Sequence, residues 1–299
     1  MIFRVFFISV LLFSTIFARD LFYAITPIEN VNDYDPDRAF LGKELFFDTR
    51  LSPKKISCHA CHNLEGKISG TSQTFHLPVP TILNASLNYY FGLDGQFSSL
   101  EDSIKAVIED TDLYASSSTF MIKQIKKNPY YVEKFQEIYG TNIISYKNII
   151  NALAEFIRAL KTPSRFDKFL LGDDDILSQE EKKGYNVFVK KGCVACHNGT
   201  NIGDGITIKI RQKNGTIQNH RVPTLRNILR TAPYMRINSP NIYAAITWLK
   251  NSIIGLHVTH TDITQIIIFF EALNGDTPLI LKATSAEELK MLLDEQLDY

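Results

Sequence analysis

The chain has 299 residues and a formal net charge of zero, with 32 basic and 32 acidic side chains, so charge gives no case for nucleic acid as a partner. Its length allows two modest domains. Aromatic residues make up 11% of the chain, mostly Phe and Tyr with the single tryptophan Trp248, and this composition suits the burial of a large flat cofactor.

The N-terminus has the pattern of a secretory signal peptide over residues 1–18. Arg4 supplies the basic start, a nearly continuous apolar run follows over residues 5–17, and Ala18 is a small residue suited to cleavage. An uncleaved membrane anchor is the alternative, but the run is shorter than the roughly 20 residues that a spanning helix needs. Both interpretations predict that the remainder of the chain is exported from the cytoplasm.

A pentapeptide with the pattern C-x-x-C-H occurs twice, and its two copies use every cysteine of the chain. This pattern is typical of c-type haem attachment. Cysteines three positions apart share one face of a helical turn and can bond the two vinyl groups on one porphyrin edge, while the next residue, a histidine, stands over the iron. The predicted thioether cysteines are Cys58, Cys61, Cys193 and Cys196, and the predicted proximal iron ligands are His62 and His197.

Two other kinds of site use cysteines at this spacing. A thioredoxin-like redox pair requires C-x-x-C beside a βαβ pattern, and neither copy has that setting. A Cys₂–Cys₂ zinc site is commonly built with about 15–20 residues between its halves, and the two copies here are much farther apart in the sequence. Two covalently bound c-type haems are therefore the favoured prediction.

Between the two motifs, residues 145–160 carry apolar side chains at the i, i+3/i+4, i+7 spacing of an amphipathic helix with a wide buried face. Pro163 follows and ends the predicted helix. Together with Gly172 and the acidic residues 173–175, Pro163 suggests a boundary between two domains.

After this boundary, Ser178 and Glu181 form a capping box that predicts a helix leading to the second motif. Residues 206–210 alternate between apolar and polar types, and an Asn-Gly pair then offers a turn before residues 216–222. This is the sequence pattern of a β-hairpin.

Two more helices are predicted near the C-terminus. Asp262 begins an apolar helix that closes at Asn274-Gly275, and Ser285 with Glu288 opens the last one. The predicted fold class is mainly α, with at most a short β-hairpin in the second half.

The predicted domains are two cytochrome c-like haem domains, one over residues 19–165 and one over residues 166–299. Each haem motif has a similar setting, with a helical approach before it and a loop rich in Gly and Asn after it. The last helix is a candidate to pack on the first domain.

Several runs of residues resemble bacterial dihaem cytochrome c peroxidases. The matching segments occur in the expected order and cover nearly the whole mature chain: residues 41–52, 56–63, 80–84, 94–95, 166–169, 192–199, 222–227 and 231–234. The same superfamily includes the methylamine-utilisation dihaem oxidases, which build a quinone cofactor in another protein.

The resemblance implies a periplasmic enzyme whose two haems have different potentials. The C-terminal haem, at Cys193, Cys196 and His197, would accept electrons from a small soluble cytochrome c or copper protein. The N-terminal haem, at Cys58, Cys61 and His62, would reduce hydrogen peroxide to water. Axial ligand identity and burial separate such potentials, and an acid/base group must move the peroxide proton.

Around the first haem, the resemblance points to candidate residues and to departures. His76 is the candidate distal ligand, and a surface loop histidine is the alternative. Family members place a glutamate where this chain has Leu113, so the neighbouring Asp112 is the candidate acid/base, unless this acidic stretch is only a solvated helix end. Leu93 stands where the family usually has a tryptophan.

Around the second haem, the family's distal methionine or tyrosine corresponds to about Leu249, which cannot bind iron. Met235 is the candidate replacement, because a thioether ligand raises the potential of a haem. Tyr243, His257 and His260 are further candidates, and Met235 as ordinary packing is the alternative.

Three functions remain open from the sequence: a peroxidase, a dihaem oxidase of the quinone-forming type, and a dihaem electron carrier without enzymatic activity. Family members often pair as dimers, so a homodimer is an expectation here. They also often hold calcium between the domains, but the asparagine expected just before Pro80-Thr81 is replaced by Pro78, which argues against calcium.

Overall fold

A computed structural model of the chain describes residues 24–29, 32–64, 70–71, 78–140, 143–203, 205–211, 216–234, 239–252 and 257–297. Helices dominate these residues, which confirms the predicted mainly α fold class. The helices are α1 Pro36–Phe47, α2 Leu100–Glu109, α3 Ser118–Lys126, α4 Pro129–Tyr139, α5 Tyr146–Arg158, α6 Arg165–Leu170, α7 Gln179–Lys190, α8 Ile242–Ser252, α9 His260–Glu271, α10 Leu279–Lys282 and α11 Ala286–Leu297.

The strands form two small antiparallel pairs. β3 (Thr207–Arg211) and β4 (Ile217–Arg221) make the predicted hairpin in the second half, which is thereby confirmed. The expectation of no strand pairing elsewhere was wrong, because β1 (Gly70–Thr71) pairs with β2 (Pro78–Val79) in the first half. Two residues are too short to show alternation, and a proline usually weighs against a strand.

The first half is built on the crossing of α1 and α5. Asp35 caps α1 by accepting a hydrogen bond from the Arg38 amide, and Pro36 occupies the first helical turn, where no amide donor is needed. The predicted helix over residues 145–160 is confirmed as α5, with Ser145 as its N-cap and a wide buried face. At Gly42 the two helices approach so closely that a Cβ atom would lie 1.9 Å from the Ala152 carbonyl oxygen.

The second half repeats this arrangement with α7 and α9. The predicted capping box of Ser178 and Glu181 is present at the start of α7. At Gly184, a Cβ atom would lie 2.2 Å from the Gln265 carbonyl oxygen of α9. In both halves, therefore, a glycine on the helix that leads to the haem motif lets a partner helix make backbone contact.

The predicted apolar helix is present as α9, but it begins at His260 and not at Asp262. The N-cap of α9 is Thr259, and Asp262 is the third residue of the helix, where its carboxylate accepts hydrogen bonds from the Thr259 amide and hydroxyl. Both residue types cap helices, so only the observed backbone distinguishes the two roles.

Each half of the described structure has its own large hydrophobic core, and residues near each end of the described chain pack into the core of the other half. Ile25 is buried in the second core, beside Phe166 and Phe269. Ile280 and Leu289, from α10 and α11, are buried in the first core. Among the described residues, no helix is long and apolar enough to span a bilayer.

We expect Gly42→Ala to lower the free energy of unfolding by about 2 kcal/mol. Overpacking against backbone costs up to about 3 kcal/mol, and the higher helix propensity of alanine returns about 1 kcal/mol. The measurement is denaturant unfolding followed by circular dichroism. Gly205→Ala is the matched control, because its Cβ would meet only the Asn198 side-chain oxygen at 3.6 Å. Equal losses in the two variants would contradict the close helix crossing.

Candidate cofactor sites

The first pentapeptide folds into a tight 3₁₀ turn over Cys58–Ala60, directly after a short loop from α1. The Cys61 amide donates to the Cys58 carbonyl oxygen at 3.2 Å, and the His62 amide donates to the same oxygen at 2.9 Å. One carbonyl therefore fixes the second cysteine and the histidine relative to the first cysteine.

The second pentapeptide adopts the same turn over Cys193–Ala195. The Cys196 and His197 amides donate to the Cys193 carbonyl oxygen at 3.2 and 2.9 Å, the same distances as in the first copy. Gly192 precedes the turn with φ at 80°, a conformation that favours glycine. The two motifs are thus equivalent in local geometry as well as in sequence.

Each motif histidine is oriented by a backbone carbonyl. Nδ1 of His62 lies 3.1 Å from the Pro80 oxygen. Nδ1 of His197 lies 3.4 Å from the Ile202 oxygen, and the Leu225 amide donates to the same oxygen at 3.2 Å. When a carbonyl fixes one ring nitrogen, the other nitrogen is presented to a metal in a defined tautomer.

Burial also keeps both imidazoles neutral. It lowers the pKa of His62, although the Pro80 carbonyl partly opposes this shift. It lowers the pKa of His197 to about 4, against the opposing effect of the Ile202 and Pro223 carbonyls. Neutral imidazole is the form that binds metals, so both rings are prepared for ligation at Nε2.

The motif thiols lie against apolar surroundings. Cys58 contacts the first core and Cys193 the second. Burial raises the pKa of Cys58 to about 12 and that of Cys193 to about 11, so neither position favours a charged thiolate. Tyr114, which is 5% exposed, lies close to Cys58 and was not identified from the sequence.

The donor set fits a c-type haem better than a protein-only metal site. An uncharged thioether suits the apolar surroundings of Cys58 and Cys193, and a neutral, oriented imidazole suits iron. Among the residues that the structure describes, no three His, Cys, Asp or Glu side chains converge to hold a metal ion, and all four cysteines are free of disulfides. The two pairs are not brought together, as the zinc alternative would require.

Behind the histidines, a repeated Pro-Thr-x-x-Asn motif forms a buried polar junction. Asn84 and Asn227 end the two copies and both adopt positive φ, at 59° and 58°. Their side-chain amides donate to the same hydroxyl oxygen of Thr162, at 2.7 and 2.8 Å. All three residues are buried. The sequence shows both copies of the motif, and reading them as a repeat is the signal that would have found this junction.

The candidate acid/base Asp112 lies on an exposed turn after α2. The turn is held by Asp110, whose carboxylate accepts the amides of Asp112 and Leu113 at 2.8 and 3.0 Å. Lys54 also donates to the Asp112 carbonyl oxygen at 2.9 Å. The Asp112 side chain therefore stands on a well-anchored backbone, two residues before Tyr114.

Some of the other candidate residues lie within the part of the chain that the structure describes, and others lie outside it. His76 and Met235, the predicted distal ligands, lie outside the described residues. Tyr243 and His260 hydrogen-bond each other through the phenol and Nδ1, with their rings stacked at 5.9 Å between centroids. Leu93 is 43% exposed.

Comparison with known proteins identifies the family. The family model described as di-haem cytochrome c peroxidase matches residues 36–175. A cytochrome c551 peroxidase of Nitrosomonas europaea is 33% identical over 283 residues, covering 85% of this chain and 85% of that protein. The chain belongs to the di-haem cytochrome c peroxidase family, which confirms the resemblance seen in the sequence.

The family also contains relatives with other names. The methylamine utilization protein MauG of Methylorubrum extorquens is 30% identical over 239 residues, covering 70% of this chain and 67% of that protein. A solved MauG-like protein associated with microbial copper homeostasis superposes with a TM-score of 0.71 at 19% identity, covering 87% of this chain and 95% of that one. The structural match supports the fold alone.

Proposed function

We propose that this protein is a cytochrome c peroxidase that reduces hydrogen peroxide to water with electrons from a small soluble redox protein. The donor would be a cytochrome c or a copper protein, and the location would be the periplasm after export. The supporting observation is the pair of equivalent turns, each presenting two cysteines and one neutral, oriented histidine, in a chain that is 33% identical to a named peroxidase.

Each pentapeptide would hold one c-type haem. The two cysteines of a turn form the thioether bonds, and Nε2 of His62 or His197 binds the iron. The bound haem supplies the redox chemistry, and the protein sets its potential through the axial ligands, hydrogen bonding and burial. The Pro80 and Ile202 carbonyls contribute by holding the two imidazole rings in place.

The two sites would divide the reaction between them. The second site accepts electrons from the donor, and the first site binds peroxide, which takes up two electrons and two protons to give two molecules of water. Asp112 is the proposed group that moves the peroxide proton to the leaving oxygen. His76 and Met235 are the proposed distal ligands at the first and second sites.

A dihaem oxidase is the second candidate, because MauG of Methylorubrum extorquens is 30% identical over most of this chain. In that case the two sites would withdraw electrons from a protein or organic substrate. A non-enzymatic electron carrier is the third candidate, and it would require both irons to be closed to exogenous ligands.

The test uses the exported protein. Intact mass and a pyridine haemochrome assay should give two covalent haems per chain, and the half-reduced protein should turn over peroxide with a reduced cytochrome donor. Two haems without peroxide turnover would overturn the peroxidase proposal. In that event, two six-coordinate haems that are inert to peroxide would favour the carrier, and oxidation of an organic or protein substrate would favour the oxidase.

A further inference from the structure

The junction at Thr162 joins the two candidate haem sites through equivalent halves. A hydroxyl oxygen has two lone pairs, and here both accept buried amides, one from Asn84 and one from Asn227. Asn84 also accepts a hydrogen bond from the Thr162 amide at 2.7 Å, and Asn227 accepts one from the Gly275 amide at 2.9 Å. Thr162 and both asparagines are at most 1% exposed.

Each asparagine is the last residue of a short segment that begins at a proline. The Pro80 carbonyl contacts Nδ1 of His62, and Asn84 is four residues later. The Ile202 carbonyl contacts Nδ1 of His197 and accepts a hydrogen bond from the Leu225 amide at 3.2 Å, and Leu225 lies in the segment from Pro223 to Asn227. His62 is therefore one hydrogen bond and one short segment away from the shared hydroxyl, and His197 is two hydrogen bonds and one short segment away from it.

A second contact ties the loop after the second motif to the first half. The side-chain amide of Asn201 donates to the Asn84 carbonyl oxygen at 3.2 Å. The Thr224 hydroxyl donates to the Asn201 carbonyl oxygen at 2.6 Å and lies 2.9 Å from its side-chain oxygen. Gly203 allows this loop to approach the Pro223 carbonyl, since a Cβ would lie 2.3 Å from that oxygen. The histidine supports of both halves therefore share one buried polar network.

We propose that Thr162, with Asn84 and Asn227, is a positioning element that couples the two proximal histidines, so that the potentials of both haems depend on one hydroxyl. The inference rests on the proposed function in one respect, namely that His62 and His197 each bind a haem iron. The three residues act on the histidines through the segments that fix the carbonyls of Pro80 and Ile202.

The physical basis is the strength of the hydrogen bond from Nδ1 to a carbonyl. This bond makes the imidazole a stronger electron donor and stabilises the oxidised iron. If the segment that carries the carbonyl loosens, the bond lengthens and the potential of that haem rises. Removal of the shared hydroxyl leaves two buried amides without an acceptor at once, so both segments should loosen together.

The test compares Thr162→Val, which keeps the shape and removes the hydroxyl, with Thr162→Ser, which keeps the hydroxyl. The two potentials are measured separately by spectroelectrochemistry on protein shown by mass to carry two haems. Thr162→Val should raise both potentials and change both low-spin electron paramagnetic resonance signals, and Thr162→Ser should leave them as in the wild type. A Thr162→Val protein with an altered unfolding midpoint but with one or both potentials unchanged would overturn the proposal.

Two further variants test the coupling of the two histidines if Thr162→Val does not fold. Asn84→Gly and Asn227→Gly each keep a residue that tolerates positive φ and remove one amide. The first should raise mainly the potential of the first haem and the second mainly that of the second haem. Unchanged potentials in both variants would overturn the proposed coupling.

Haem content is measured independently of the potentials. Failure of the coupling proposal would therefore leave the proposal of haem binding at the two pentapeptides intact. Fewer than two haems in the wild type would instead refute the proposed function itself.

Discussion

A protein with Cys58 and Cys61 replaced by serine is expected to carry one covalent haem per chain and to reduce peroxide only at the uncatalysed background rate. Serine hydroxyls do not form the thioether bonds, and the proposed peroxidatic chemistry depends on the cofactor. Intact mass and steady-state oxidation of a reduced cytochrome would measure the two effects. Wild-type turnover in this variant would contradict the assignment of peroxide reduction to the first site.

The chain offers a control within the same pentapeptide. His59 occupies a variable position of C-x-x-C-H, and its ring packs on Phe47 with 4.7 Å between centroids. His59→Ala should therefore keep two haems and most of the turnover.

The mirror variant, with Cys193 and Cys196 replaced by serine, should also carry one haem. It is expected to lose oxidation of the protein donor but to consume peroxide when a small chemical reductant replaces that donor.

Arg226→Leu is expected to lower the free energy of unfolding by about 3–5 kcal/mol, the usual cost of removing one partner of a buried ion pair. The Arg226 guanidinium donates to both carboxylate oxygens of Asp167, at 2.8 and 2.7 Å, and the two side chains are 0% and 2% exposed. Arg226 also donates to the Thr200 carbonyl oxygen at 2.7 Å, in the loop after the second motif. Denaturant unfolding would measure the loss, and the double variant with Asp167→Asn should recover part of it.

The same pair predicts how this loss depends on pH. Burial alone raises the pKa of Asp167, but the Arg226 charge and the hydrogen bonds from Arg226, Ile28 and Ser164 outweigh it and hold the pKa below its usual value. The contribution of the ion pair to stability is therefore present above about pH 4, the unfolded pKa of aspartate, and is lost as the pH falls through the lower folded pKa.

In Arg226→Leu only burial and the weaker hydrogen bonds act on Asp167, so its carboxylate should take up a proton more readily. The stability difference between the variant and the wild type should then be largest near neutral pH and narrow in acid; a difference that stayed constant down to pH 3 would contradict this account.

Structural features that depend on residues close together in the sequence were predicted well. The helix predicted over residues 145–160 is observed as Tyr146–Arg158, because six apolar positions at helical spacing leave little choice of face. The capping box at Ser178 and the β3–β4 hairpin were likewise predicted from adjacent residues. Gly42 and Gly184 show the limit of this approach. Glycine weakens a helix in isolation, and the need for it here comes from a partner helix elsewhere in the sequence.

The candidate cofactor sites likewise combine features set by neighbouring residues with features set by residues far apart in the sequence. The two pentapeptides are evident from sequence because the chemistry depends on a three-residue spacing within one turn. The junction at Thr162 is not, because its partners Asn84 and Asn227 are 78 and 65 residues away. Asp167 and Arg226 were both noted within family motifs, yet only the fold shows that they form an ion pair. Asp112 was predicted only as the neighbour of Leu113, the position where family members have a glutamate, and its acid/base role stays a prediction.

The C-terminal helices α10 and α11 are synthesised long after the helix whose core they complete. Lys43 of α1 donates to the carbonyl oxygens of Ile280 and Ala283 at 2.8 and 2.7 Å, and Leu289 and Leu293 complete the core around that helix. Translation proceeds at about 5–20 residues per second, so these residues leave the ribosome on the order of ten seconds or more after Cys58 and Cys61. For that interval the turn at Cys58–Ala60 lies beside an unfinished core. A chain terminated upstream of Leu279 would lack the side chains that complete this core.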